Sequence, residues 1–196
     1  LKLENLLLDE QGYAKITDFG LAKQISADQK ATTFCGTPEY LAPEVVLCKG
    51  HNRPADWWSL GILIYEMMSG TPAFYSSNPQ QMYKKIVKED VVFKQNVSIS
   101  DEGKDIILQL LQKDPANRLG SKNDSLDVMS HPWFKSIDMT KLLTRQLKAP
   151  FVPKTAGDEW IQNFDSEFTN EKPRDSHIEV TEEDLKSFAG QFNEMS

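Results

Sequence analysis

Residues 1–20 read LKLENLLLDEQGYAKITDFG. Two short apolar runs flank Asp9-Glu10-Gln11-Gly12, a turn-forming cluster. That arrangement predicts a β-hairpin over residues 6–18. Asn5 enters its first strand and Asp18 leaves its second, so closing the hairpin brings the two side chains together. An amide and a carboxylate side by side offer hard oxygen ligands to Mg2+, a cation that keeps several waters and binds phosphates. Lys2 lies shortly before Asn5 and places an ammonium where it meets a phosphate as a point charge. Taken singly, each of these is also an ordinary loop residue, and an Asp at a strand end is commonly a turn former.

Outward from the hairpin, residues 20–54 are rich in Gly, Pro, Thr and Asp and lack periodicity. They predict a long ordered loop, and long loops in compact chains are usually functional or disordered. Residues 56–69, DWWSLGILIYEMMS, are apolar nearly all round, which predicts a helix buried at the centre of a domain. Gly70 and Pro72 end it. A short amphipathic helix is expected over 79–88. Ser100 is placed to cap another helix, with Ile106, Ile107, Leu110 and Leu111 as its apolar stripe and Pro115 as its stop. A last small helix is expected over 125–134. From about residue 140, prolines and isolated aromatics replace periodicity, as in an extended tail that docks its aromatics on another surface.

The 196 residues carry a net charge of −7, with 39% hydrophobic and 26% charged residues. This is an ordinary globular composition, so wholesale disorder is excluded. Net acidity argues against a nucleic-acid partner. Cys35 and Cys48 are too few for a disulfide scaffold or a zinc site. The longest apolar run, residues 60–65, is far short of the ~20 residues that span a bilayer. No signal peptide is readable, so cytoplasmic residence is expected, with membrane recruitment only through domains outside this chain.

Three motifs then fall in order. Leu1-Lys2-Leu3-Glu4-Asn5 matches the end of the protein-kinase catalytic loop H-R-D-L-x-x-x-N, Asp18-Phe19-Gly20 matches D-F-G, and Ala42-Pro43-Glu44 matches A-P-E. The chain resembles the C-terminal lobe of a protein serine/threonine kinase. Thr33-Phe34-Cys35-Gly36-Thr37-Pro38-Glu39-Tyr40, Asp56-Trp57-Trp58-Ser59-Leu60-Gly61 and Ala149-Pro150-Phe151-Val152-Pro153 narrow the resemblance to the AGC group, the kinases related to protein kinases A, G and C. The resemblance implies an α+β protein-kinase-like fold, mainly α-helical with a small hairpin and without an N-terminal lobe. It divides the chain into a kinase C-terminal lobe (1–134) and an AGC tail (135–196).

The resemblance also implies roles. Asn5 and Asp18 hold the two Mg2+ ions that bridge the ATP phosphates, and Lys2 neutralises charge on the γ-phosphate. Glu4 and Glu66 face basic residues of a protein substrate. Thr33 is the site phosphorylated by an upstream kinase, and Lys23 is a partner of that phosphate. Thr37 contacts the catalytic loop, Asp56 supports its backbone, and Glu44 and Arg118 form a buried ion pair. In the tail, Phe164 covers the adenine pocket and Ser176 is a turn-motif phosphorylation site. Phe188-Ala189-Gly190-Gln191-Phe192-Asn193 departs from the group's F-x-x-F-[S/T]-[F/Y] motif, which puts phosphorylation there in doubt.

The Asp of H-R-D would directly precede Leu1, and no Gly-rich loop or strand lysine for ATP occurs in these residues. The polypeptide as written is therefore expected to be inactive. A partial sequence of an active kinase is the favoured reading. A naturally short binding module or decoy is the alternative, and a pseudokinase fits less well with intact Lys2, Asn5 and Asp18.

Overall fold

Two three-residue strands, β1 (Leu6–Leu8) and β2 (Ala14–Ile16), pair antiparallel with Leu7 opposite Lys15. The structure is a computed structural model that describes residues 1–26, 29–155 and 161–170. Asp9 builds the turn between the strands, its Oδ1 accepting the Gln11 and Tyr13 amides at 3.1 and 2.9 Å. The remaining elements are helical: α1 (Pro43–Val46), α2 (Pro54–Ser69), α3 (Pro79–Lys88), α4 (Asp101–Leu110), α5 (Ser125–Met129), α6 (Met139–Leu143) and α7 (Ser166–Thr169). Among the described residues the fold is thus mainly helical, with one two-stranded sheet.

Helix α2 is the axis of the core. It begins at Pro54, slightly earlier than the sequence suggests, because proline is tolerated in the first turn, where its missing N–H costs nothing. Trp58, Ile62, Leu63, Ile64 and Tyr65 are all buried. Its main neighbour is α4, and Ile106, Ile107 and Leu110 of α4 have no exposure at all. At Gly61 the two helices come so close that a Cβ would lie 2.8 Å from Leu111 Cδ2 and 2.9 Å from Leu110 Cβ. Only hydrogen fits there, and that decides how tightly the α2–α4 layer closes.

The smaller helices follow their caps. The Ser100 hydroxyl accepts the Gly103 amide at 3.0 Å and starts α4. The Asn78 side chain accepts the Gln80 and Gln81 amides and starts α3. The helix expected over 125–134 is broken in two. His131 is extended (φ −63, ψ 139) ahead of Pro132, as steric conflict with a following proline favours. Its Nδ1 then accepts the Trp133 amide at 3.2 Å and starts a separate 3-10 turn, Pro132–Phe134. The loop over 20–54 holds only a 3-10 turn (Pro38–Tyr40) and α1 as regular elements among its described residues. It is also tied down by a bridge in which Ala31 and His51 exchange both backbone hydrogen bonds at 2.8 Å.

The chain divides into two compact units, 1–153 and 154–196. The first therefore includes the start of the segment that the sequence sets apart as a tail. In the second, Asp165 caps α7 by accepting the Glu167 amide at 3.0 Å, and Asn163 Nδ2 donates to the Lys154 carbonyl at 2.7 Å. Among the described residues no helix is long and apolar enough to cross a membrane.

Candidate active site

The hairpin does what its pattern implies. Thr17 donates its amide to the Asn5 carbonyl at 2.9 Å, extending the ribbon by one further pair. Immediately beyond, Asn5 Nδ2 lies 3.5 Å from Asp18 Oδ2. Asp18 occupies the left-handed region (φ 61), uncommon for any residue but glycine. Its Oδ1 accepts the Gly20 amide at 3.1 Å, the local bond that lets an Asp hold this conformation. The two side chains thus lie side by side at the open end of the hairpin, opposite the turn.

The donor set fits Mg2+. An amide and a carboxylate are hard oxygen ligands, and two protein ligands suit a cation that keeps water and phosphate for the rest of its shell. Among the described residues no group of three or more His, Cys, Asp or Glu could hold a metal ion. Lys2 sits just ahead, half-buried, with its carbonyl accepting the Asn5 amide at 3.2 Å in the 3-10 turn Leu3–Asn5. No carboxylate pairs with the Lys2 ammonium among the described residues.

Glu66 meets a residue that sequence reasoning did not single out. The Tyr40 hydroxyl donates to Glu66 Oε2 and accepts the Leu3 amide at 3.4 Å. Burial, then the Glu66 carboxylate, and to a lesser degree that of Glu4, push the phenol well above its ordinary range. Glu4 is exposed beside it, Glu66 is half-buried, and the Ser59 hydroxyl fixes the Tyr40 carbonyl from α2 at 3.0 Å. Tyr40 thereby joins the loop that carries Lys2 to the central helix. Its position in the Thr33–Tyr40 stretch was the only sequence signal for it.

The other candidates are placed as follows. Thr33 and Lys23 are exposed, with no hydrogen bond or ion pair between them among the described residues. The flank of Thr33 is held by Phe34, packed edge-on against Tyr83 of α3 with centroids 6.1 Å apart. Thr37 is half-buried at the start of the Pro38–Tyr40 turn, its carbonyl accepting the Tyr40 amide. Asp56 is exposed in the first turn of α2. Glu44 and Arg118 form a buried two-pronged pair, Oε1 to Nη1 at 2.8 Å and Oε2 to Nη2 at 2.9 Å. Phe164 is half-exposed in the second unit. Ser176 and residues 188–193 lie outside the described residues. A further cation missed by the sequence is Lys113, 3.9 Å from the Phe74 ring centroid and donating to the Ile86 carbonyl at 2.8 Å. Burial pulls its ammonium down to about 8.

Comparison with known proteins identifies the family. Residues 1–134 match the protein kinase domain, and residues 161–193 match the protein kinase C terminal domain. The chain is 48% identical to the Caenorhabditis elegans serine/threonine-protein kinase sgk-1 over 169 residues, 86% of this chain and 36% of that protein. It is 42% identical to the Saccharomyces cerevisiae serine/threonine-protein kinase YPK1 over 97% of this chain and 28% of that protein. It is 46% identical to the human cAMP-dependent protein kinase catalytic subunit PRKX over 96% of this chain and 51% of that protein. The chain thus spans about a quarter to a half of the length of these relatives.

Proposed function

The chain belongs to the protein kinase family, in its AGC group of serine/threonine kinases, and from that premise we propose that it carries the magnesium and phosphate half of a phosphoryl-transfer centre. The reaction is transfer of the ATP γ-phosphate to Ser or Thr of protein substrates, in the cytoplasm. Bound Mg2+ would supply positive charge that neutralises the ATP phosphates. Asn5 and Asp18 would hold it, and Lys2 would meet the transferring phosphate as a positive point charge. Glu4 and Glu66 attract Arg or Lys of a basic substrate motif. Thr33, displayed on a segment with a tethered flank, receives phosphate from an upstream kinase, and Lys23 is one cation available to it. Thr37 and Asp56 support the Lys2–Asn5 loop, Phe164 covers the adenine, and Ser176 is a second phosphorylation site.

The observation that carries this reading is the meeting of the Asn5 amide and the Asp18 carboxylate at 3.5 Å. Titration of the chain with Mn2+, followed by electron paramagnetic resonance, tests it. Binding that Mg2+ displaces, and that Asp18→Asn weakens at least tenfold, is the expected result; equal affinity in the variant would sink the metal reading.

A further inference from the structure

The hairpin that carries Asn5 and Asp18 is too small to hold itself. Each strand has three residues; Leu6 packs half-buried against the core, but Leu7, Leu8 and Ile16 are 46%, 47% and 56% exposed, so the second strand and the turn gain little apolar burial. A lone two-stranded hairpin is at best marginal in water. Its turn, however, is gripped by the segment that follows α6. The Tyr13 hydroxyl donates to the Leu147 carbonyl at 2.6 Å, across more than a hundred residues of chain. Arg145 Nη2 lies 3.2 Å from Asp9 Oδ2, and the same guanidinium stands 5.2 Å from the Tyr13 ring centroid. Gly12, at φ 83, leaves the space in which Ala149 and the Phe151 carbonyl approach; a Cβ there would collide with that carbonyl oxygen. Arg145 itself is left-handed (φ 58), a strained conformation that persists where surrounding contacts over-determine it.

We propose that residues 145–151 are a strap that fixes the hairpin register, and that Tyr13 and Arg145 are thereby positioning residues for the Asn5–Asp18 pair. The proposal rests on the metal reading above for its functional consequence. Asp9 is the hinge of the device. Its Oδ1 builds the turn, while its Oδ2 takes Arg145 at 3.2 Å and Lys15 at 3.9 Å. Turn geometry and strap attachment therefore meet in one carboxylate. At the other end of a ribbon of only three strand pairs, a slip of one residue would turn every strand side chain to the opposite face. Asn5 and Asp18 would then no longer meet.

The test uses the whole chain with Tyr13→Phe and Arg145→Ala combined, and Arg145→Lys as the conservative control. Exchange of the Thr17 amide, which donates to Asn5, reports the hairpin; the amides of Ile62 and Ile107 report the core. The double variant is expected to exchange Thr17 at least tenfold faster with core amides unchanged, and to bind Mn2+ several-fold more weakly. Arg145→Lys, which keeps the charge opposite Asp9, is expected to recover part of both losses. Unchanged Thr17 exchange in the double variant overturns the strap. Faster Thr17 exchange with unchanged Mn2+ affinity overturns the positioning role. If the unaltered chain binds no Mn2+, the metal reading fails, and with it the positioning role, while Thr17 exchange still decides whether the strap holds the hairpin.

Discussion

Arg118→Ala is expected to cost the chain about 3–5 kcal/mol, the penalty for leaving one half of a buried ion pair unpaired. Arg118 is 2% exposed and Glu44 6%. The guanidinium does more than pair. Its Nη1 also donates to the Pro54 carbonyl at 2.6 Å, its Nε to the Gln112 carbonyl at 3.1 Å, and its plane stands 5.3 Å from the Trp58 ring centroid. One side chain thus ties α1, the start of α2 and the segment after α4 together. Alanine strands a carboxylate and two carbonyls in the interior, out of a total stability of about 5–15 kcal/mol for a typical domain. Urea unfolding followed by tryptophan fluorescence measures the loss. The double change Glu44→Leu, Arg118→Met removes both charges and is expected to recover part of it, since a buried pair replaced by apolar groups is often neutral. A shift below about 1 kcal/mol in the single variant would place the anchoring of α1 elsewhere.

What the sequence reveals and what it hides divide along a physical line. Elements fixed by local signals were legible. The turn cluster at 9–12, the cap at Ser100, the uniform apolarity of 56–69 and the stripe at Ile106, Ile107, Leu110 and Leu111 each appear in the structure near the expected place. The break in the 125–134 helix has a local sign in Pro132, which forces His131 out of the helix, whereas the His131 cap on the next turn has none. Asn5 and Asp18 could be brought together on paper because a hairpin closes over few residues. Long-range partners could not. Tyr13 meets Leu147, Lys113 meets the Phe74 ring, and the Tyr40 hydroxyl meets Glu66, and no local pattern encodes any of these. Glu44 and Arg118 were found only through the family resemblance, since nothing along the chain links residues so far apart.

Asp18 offers a way to separate metal binding from folding. Its left-handed backbone costs a non-glycine residue roughly 1–2 kcal/mol, which the Asp offsets through its bonds from the Gly20 amide and Asn5. Asp18→Ala keeps the strain and removes the compensation. Asp18→Gly removes both. Each variant loses the carboxylate, so each is expected to bind Mn2+ at least tenfold more weakly, the scale of loss that follows even outer-shell changes at metal sites. Their stabilities are expected to differ, with the glycine variant about 1 kcal/mol the more stable. Equal stabilities would mean that the left-handed turn is relaxed in solution. Retained metal affinity in the glycine variant, with the hairpin intact by Thr17 amide exchange, would mean that the cation sits elsewhere. If instead the two variants are equally poor at binding while the glycine chain unfolds later, the carboxylate serves the ion and the backbone strain is what holding it there requires.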